Sequence, residues 1–565
     1  MHSFSNLYRK EMLDKLLKKE FDLVVVGGGI TGAGIALDAA SRGMSVALLE
    51  KGDFASGTSS KSTKLIHGGL RYLKQFDFWL VKEVGTERAV IHKLAPHLVV
   101  PEKMLLPIIE NGSYGSWLTS VGLKIYDILA SVEDDDRRQM LDKEEALSKE
   151  PLLPEKILEG AGYYAEYRTD DARLTTEVLK TAYERGALAL NYCEVKRFLF
   201  EDEIVSGVVV KDHISNKEFN LRAKYVVNAT GPWVDEIRDR FGKEKLSKRL
   251  QPTKGVHLVF PFEKFPIQQS IYFDVPDGRM IFGIPRGKTT YVGTTDTPYI
   301  NDLDQVETEL VDAVYLINAV NQMFPDIELR LEDIESSWAG LRPLICEEGK
   351  SASELSRKDE IFEAPNGLIS IAGGKLTGYR KMAERIVDLV AKRFSSQEDL
   401  EFRKVQTENI PLTKRPFPNY KAVKAYINET YKALEPLGFS KVEVKSLVHR
   451  YGRQIELILD RFSNLEEIAH KTDRQTDPET NHETDHEVRM AKAEVWYCVN
   501  YEMVVRALDF FERRTGRLYF ESPSVEKLKT PVIEEMARLL NWDDATKTDQ
   551  LKQLSEALGG VKNFS

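Results

Sequence analysis

At 565 residues the chain is too long for one hydrophobic core, and ordinary domain sizes make three or four units the expectation. With 42% apolar and 30% charged residues it reads as a soluble globular protein, neither disordered nor fibrous. A net charge of −10 leaves no basic excess to neutralise a phosphate backbone, so no nucleic acid is expected as a partner.

The amino-terminal 21 residues lack the continuous apolar stretch of a secretory leader. Nowhere do 18 uninterrupted apolar residues occur, so no membrane span is expected. On residues 9–21, Met12, Leu13, Leu16, Leu17 and Phe21 share one helical face, and Arg9, Lys10, Lys15, Lys18 and Lys19 occupy the rest. That pattern has two readings: a surface helix packed on its own protein, and a basic amphipathic seat on an anionic membrane. Cys193, Cys346 and Cys498 are far apart and show neither C-x-x-C nor Cys/His spacing, so no disulfide framework and no metal site are expected. A cytoplasmic location is the simplest expectation, with peripheral contact on the inner face of the cytoplasmic membrane left open.

Residues 21–26, FDLVVV, predict a short buried strand that runs into GGGITGAG, a helix, and a second strand, SVALLE. This is a βαβ unit. Gly27-x-Gly29-x-x-Gly32 stands where a dinucleotide pyrophosphate needs a tight turn and a helix amino terminus. Glu50 follows 18 residues after Gly32, at the end of the next strand, where it can accept from a ribose hydroxyl. NAD and FAD are both compatible with that motif. FAD is favoured by the lack of a second copy, by the strand ending in Thr230 and Gly231 that can close over a ligand, and by the strand running into Gly373 and Gly374. Lys375, Leu376 and Thr377 then open a helix whose amino end would stabilise charge on a reduced flavin.

Between these segments, 96–165 and 246–340 carry short apolar runs spaced by turn residues, which predict one antiparallel sheet built from two parts of the chain. Beyond about 395 the pattern becomes helical. Trp496, Val499, Met503, Ala507 and Phe511 keep a three-and-four spacing, and the polar run Lys471–Glu487 predicts an exposed loop. The expected division is a discontinuous FAD-binding domain (20–95, 165–245, 340–395), an inserted substrate domain (96–164, 246–339) and an all-helical carboxy-terminal domain (396–565), of α/β and α+β class.

One stretch, TKLIHGGLRYLK at 63–74, places His67 and Arg71 around two glycines inside an apolar run. Together with GGGITGAGIALDAASRG, NATGPWVD, GTTDTP, AGLRPL, GGKLTGYRKMAE and AEVWYCVNYEMVVRALDFFERRTGRLYF, it resembles the FAD-dependent (aerobic) glycerol-3-phosphate dehydrogenases of the D-amino-acid-oxidase-like flavoproteins. The resemblance spans nearly the whole chain. It implies FAD as cofactor and oxidation of sn-glycerol 3-phosphate to dihydroxyacetone phosphate, with a quinone as electron acceptor. A homodimer is also expected. Oxygen as acceptor, or an amine or amino-acid substrate, are the alternatives within the same superfamily; a flavin-loaded interaction protein is the non-enzyme alternative.

Under this resemblance the glycines bring His67 and Arg71 to the reacting face of the ligand. Arg71, Arg342 and Lys375 then form a cationic set for a phosphate dianion, costly to bury without an anion. His67 is the expected base for the hydroxyl proton, with His257 second. Tyr72, Thr294, Thr295 and Asp296 are expected to add hydrogen bonds to substrate or flavin. Ser59, Ser60 and Thr63 are expected at the pyrophosphate or ribityl chain.

Overall fold

The structure, a computed structural model, describes residues 2–67, 78–110, 112, 138–241, 248–346, 359–472 and 482–564. Its first sheet grows from the strand β1 (Phe21–Val26), which is buried on both faces as its run of valines dictates. After β1 the chain enters the helix α2 (Ile30–Arg42) and returns as β2 (Val46–Leu49), parallel to β1. On the other side of β1 lies Lys217–Asn228, also parallel, followed by Ile369–Gly373. Leu188–Leu190 extends the sheet beyond β2, and Asp359–Glu363 closes the far edge antiparallel. The predicted βαβ unit is thus present, with strands from three distant parts of the chain around it. The helix α2 packs against Asp171–Glu184 and Tyr379–Glu398.

The second sheet is mostly antiparallel and has ten strands among the described residues. One part of the chain supplies Val100–Ile109 and Leu158–Arg168; the other supplies Leu250–Pro261, Ser270–Asp274, Met280–Arg286 and Thr289–Gly293. The two parts meet along a parallel junction, Ser270 beside Met104 and Ile271 beside Leu105. The strand Ser336–Ile345 pairs antiparallel with Leu250–Pro261, setting Arg342 opposite Thr253.

At the amino terminus, α1 (Arg9–Leu17) packs on the protein itself. Met12, Leu16 and Phe21 are buried in the core of the first sheet, and Arg9 pairs with the buried Asp212 at 2.7 Å. Leu17 alone of that face is exposed, at 54%. Among the described residues, no helix is long and apolar enough to cross a membrane.

The carboxy-terminal helices have their own core around Val444, Tyr451, Tyr497 and Phe511. Two expectations need correction there. The helix His482–Tyr501 begins inside the polar run predicted as a loop, of which 473–481 lie outside the described residues. The periodic stretch through Phe511 is not one helix: it stops at Tyr501, Met503 takes φ 58°, and the chain resumes as a π-helical turn, Asp509–Arg514. The freed carbonyl groups find partners elsewhere, Arg514 donating to Glu502 O at 2.9 Å and Asn191 to Met503 O at 2.9 Å. Contacts from distant parts of the chain, one of them in another domain, thereby override the local spacing.

Candidate active site

The turn after β1 takes a conformation that favours glycine. Gly27 lies at φ +112°, and a Cβ there would stand 2.6 Å from the Ala229 carbonyl oxygen. Gly32 lets α2 close onto this turn, since its Cβ would come within 2.0 Å of Gly27 O. The amino end of α2 consequently opens into a cavity of about 350 Å³ lined by Gly27, Gly29, Ile30 and Thr31. Its dipole favours an anion there.

Glu50 lines the same cavity. Its Oε2 accepts from the Gly28 amide at 2.7 Å and its Oε1 from the Gly52 amide at 2.8 Å, fixing the carboxylate while lone pairs remain for a ribose hydroxyl. Burial pushes this carboxyl above its ordinary range, and the two amides pull the other way. Ser59 Oγ accepts from the Ile30 amide at 2.9 Å, tying the loop after β2 to the head of α2. Thr230 and Gly231 also line the cavity, with Thr230 Oγ donating to Asn228 Oδ1 at 2.7 Å. Trp233 follows in the wall; its indole N–H is buried without an acceptor among the described residues, as fits a wall built for a polar ligand.

Thr63, His67, His257 and Arg342 line this cavity too, as do Gly373, Gly374, Lys375, Leu376 and Thr377. Gly374 takes φ +80° and lies against Met382 Sδ, which a Cβ would meet at 2.4 Å. Arg342 Nη1 donates to Thr295 O at 3.1 Å and pairs with Asp296 at 3.3 Å, while Nη2 donates to Thr294 Oγ at 2.8 Å. The guanidinium lies over Gly255, where a Cβ would meet Nη2 at 2.3 Å. His257 stacks on Trp338 with centroids 4.7 Å apart, and its Nε2 is 2.9 Å from Thr63 Oγ. Burial, followed by the Arg342 and Lys64 charges, holds its pKa well below the usual value. His67 is half-buried and meets Phe282 edge-on at 6.1 Å.

Several sequence expectations change. Ser60 does not line the cavity: its Oγ turns to Gly57 O at 3.4 Å and its carbonyl accepts from Lys64 at 3.0 Å. Thr295 is likewise internal, its hydroxyl accepting from the Val256 amide at 3.1 Å. It reaches the cavity only through Arg342, as do Thr294 and Asp296. Nor does Arg342 wait for a substrate anion, because Asp296 already supplies a carboxylate. Arg71, Tyr72 and the glycines between His67 and Arg71 lie outside the described residues. Sequence reasoning overlooked Trp233, Lys51 and Lys61, which all line the cavity. Lys51 lies 4.4 Å over the Trp233 ring and pairs with Asp304. The quoted NATGPWVD did contain a signal, a large aromatic placed directly after a strand-ending turn.

A glycine turn at a helix amino terminus, an acid held beside it by two backbone amides, and one cavity shared with the imidazoles of His67 and His257 and with several cations, Arg342 and Lys375 among them, are the marks of a dinucleotide-dependent oxidoreductase. Residues 22–380 match the family model described as FAD dependent oxidoreductase, and residues 405–547 match that of the C-terminal domain of alpha-glycerophosphate oxidase. The aerobic glycerol-3-phosphate dehydrogenase of Bacillus subtilis is 48% identical over 99% of this chain and 98% of its own. That of Staphylococcus haemolyticus is 45% identical over 98% and 97%. Among solved structures, the glycerol-3-phosphate dehydrogenase of Bacillus halodurans complexed with FAD is 40% identical, covers 99% of both chains and superposes with a TM-score of 0.81. The chain belongs to the aerobic glycerol-3-phosphate dehydrogenase family of the FAD-dependent oxidoreductases.

Proposed function

We propose that this chain oxidises sn-glycerol 3-phosphate to dihydroxyacetone phosphate with FAD and passes the electrons to a quinone. The observation that carries the reading is the placement of Arg342, Lys375, His67 and His257 on the wall of the cavity that begins at the Gly27–Gly32 turn. FAD, when bound, supplies the acceptor for the hydride leaving C2. Gly27, Gly29 and the head of α2 would hold its pyrophosphate, Glu50 its ribose, and Ser59, Thr63 and Thr230 neighbouring oxygens. The amino end of Tyr379–Glu398, which follows the cavity-lining Gly373–Thr377, would favour negative charge on the reduced cofactor.

Arg342 and Lys375 grip the phosphate, the first as a fork held rigid by Thr294, Thr295 and Asp296, the second as a point charge. Arg71 and Tyr72, expected from the sequence to share that grip, lie outside the described residues. His67 takes the C2 hydroxyl proton on a ring nitrogen, its half-buried position giving the proton a route outward. His257, kept neutral by burial, supports Thr63 through Nε2.

Anaerobic titration of the purified protein with glycerol 3-phosphate tests the reading, because stoichiometric bleaching of the flavin is expected. A spectrum unmoved by that substrate but bleached by an amine or amino acid would refute it. Reduction of a quinone analogue, measured beside peroxide release, separates quinone from oxygen as acceptor. The protein works as a homodimer placed peripherally on the inner face of the membrane, where its quinone resides. That contact uses a surface other than α1, whose apolar face is buried internally.

A further inference from the structure

The π-helical turn Asp509–Arg514 belongs to the helical domain, yet its polar side chains reach the surroundings of the cofactor cavity. Turns of this kind are rare and concentrate at functional positions. Arg513 Nε and Arg514 Nη1 each stand 2.7 Å from Asp53 Oδ2, and Arg514 Nη2 stands 3.0 Å from Oδ1. Asp53 lies three residues beyond Glu50, on the same loop. Asp509 accepts from the Tyr192 hydroxyl at 2.5 Å, beside the cavity-lining Cys193. Glu512 accepts from Lys61 Nζ at 2.5 Å and from the Tyr519 hydroxyl at 2.7 Å. Lys61 itself lines the cavity, and its backbone presses on the strand that carries Arg342, so that a Cβ on Gly340 would stand 2.6 Å from Lys61 O.

These ion pairs are split across a boundary. Asp53 and Lys61 sit on the loop that also carries Glu50, Ser59 and Thr63, whereas Arg513, Arg514 and Glu512 sit on the helical turn. Asp53 and Arg514 are fully buried at the side chain, and Arg513 and Glu512 nearly so. Against the cost of burial, the Lys61 and Arg513 cations pull the Glu512 carboxyl down to about 2. Moving either side of the boundary leaves a buried charge without its partner, an arrangement far costlier than the intact pair.

We propose that the Asp509–Arg514 turn clamps the cofactor loop, with Glu512 a positioning residue acting through Lys61, so that FAD binding and docking of the turn stabilise each other. Thermodynamic linkage makes the effect reciprocal. The inference concerns the helical domain and does not depend on which alcohol is oxidised.

Hydrogen exchange on the full-length protein, with FAD and after its removal, tests the clamp without any mutation. Amides of 509–520 are expected to exchange about tenfold more slowly with FAD bound, while Tyr420–Leu434, in the same domain, serves as reference. Equal exchange at 509–520 in the two states overturns the proposal. Glu512→Gln preserves shape and Lys61→Met removes the cation; each is expected to raise the FAD Kd of the stripped protein about tenfold. The double variant is expected to be no weaker than either single one, because both remove the same contact. Unchanged FAD affinity in both single variants, or additive losses in the double one, also overturns the proposal.

Discussion

Replacing Arg342 by alanine removes the forked cation from the cavity wall and leaves Asp296 without this guanidinium. At an effective dielectric constant of about 20, a charge pair about 4 Å apart is worth roughly 4 kcal/mol. The Arg342 side chain is 20% exposed, so water and salt reduce that to about 2 kcal/mol. The loss corresponds to about 30-fold in binding of a phosphorylated substrate. The carboxylate of Asp296 would then repel the phosphate, so Asp296→Asn in the alanine background is expected to recover part of the loss. Stopped-flow reduction of the flavin under nitrogen, followed against glycerol 3-phosphate concentration, separates substrate affinity from the limiting rate. The affinity should fall about 30-fold with the limiting rate changed far less. An Arg342→Ala protein that binds the substrate as tightly as the parent would take the guanidinium out of the phosphate site.

Gly32→Ala places a methyl carbon 2.0 Å from Gly27 O, where ordinary contact starts at 3.4 Å; overpacking of about 1–3 kcal/mol should weaken FAD binding by about 5- to 150-fold, and an unchanged FAD titration would count against the packed turn. His67→Ala is expected to slow flavin reduction with substrate binding retained. Gly293→Ala, whose Cβ would stand 2.1 Å from His257 Cδ2, displaces the second imidazole; if it slows reduction more than His67→Ala does, the base is His257. His97 and His449 give a pH prediction. Burial first, and neighbouring charges second, lower their pKa values to about 3 and about 4, while in the unfolded chain they titrate near 6.5. The folded form therefore binds fewer protons below pH 6.5, and stability should fall as pH drops from there, by about 2 kcal/mol per histidine at pH 5. Urea unfolding should show His97→Leu losing less between pH 7 and pH 5 than the parent; equal losses would contradict the neutral burial of His97.

The convergence of Gly27, Gly29, Gly32 and Glu50 on one turn and cavity was legible because these residues are local, falling within 24 residues. Arg342 was visible as a cation in a motif, but its pairing with Asp296 was not, since 46 positions separate the two and only the sheet register brings them together. Ser60 and Thr295 were misplaced for a related reason: hydroxyl side chains in a turn serve backbone groups as readily as ligands, and composition cannot say which. The break after Tyr501 had no signal in its own periodicity, because the partners that make it tolerable, Asn191 and Arg514, belong to other elements.

The interleaving of the chain has a temporal corollary. The strand Ile369–Gly373 sits beside Lys217–Asn228 in the first sheet, and the turn ending at Arg514 braces the loop after β2. A ribosome adding roughly 5–20 residues per second reaches residue 514 about 25–100 s after residue 1. Throughout that interval the nascent polypeptide lacks at least one of the elements that brace the pocket around its glycine turn. Flavin capture is accordingly expected to strengthen once the turn ending at Arg514 is in place, and truncation ahead of Arg514 should leave a protein that holds FAD at least about tenfold more weakly.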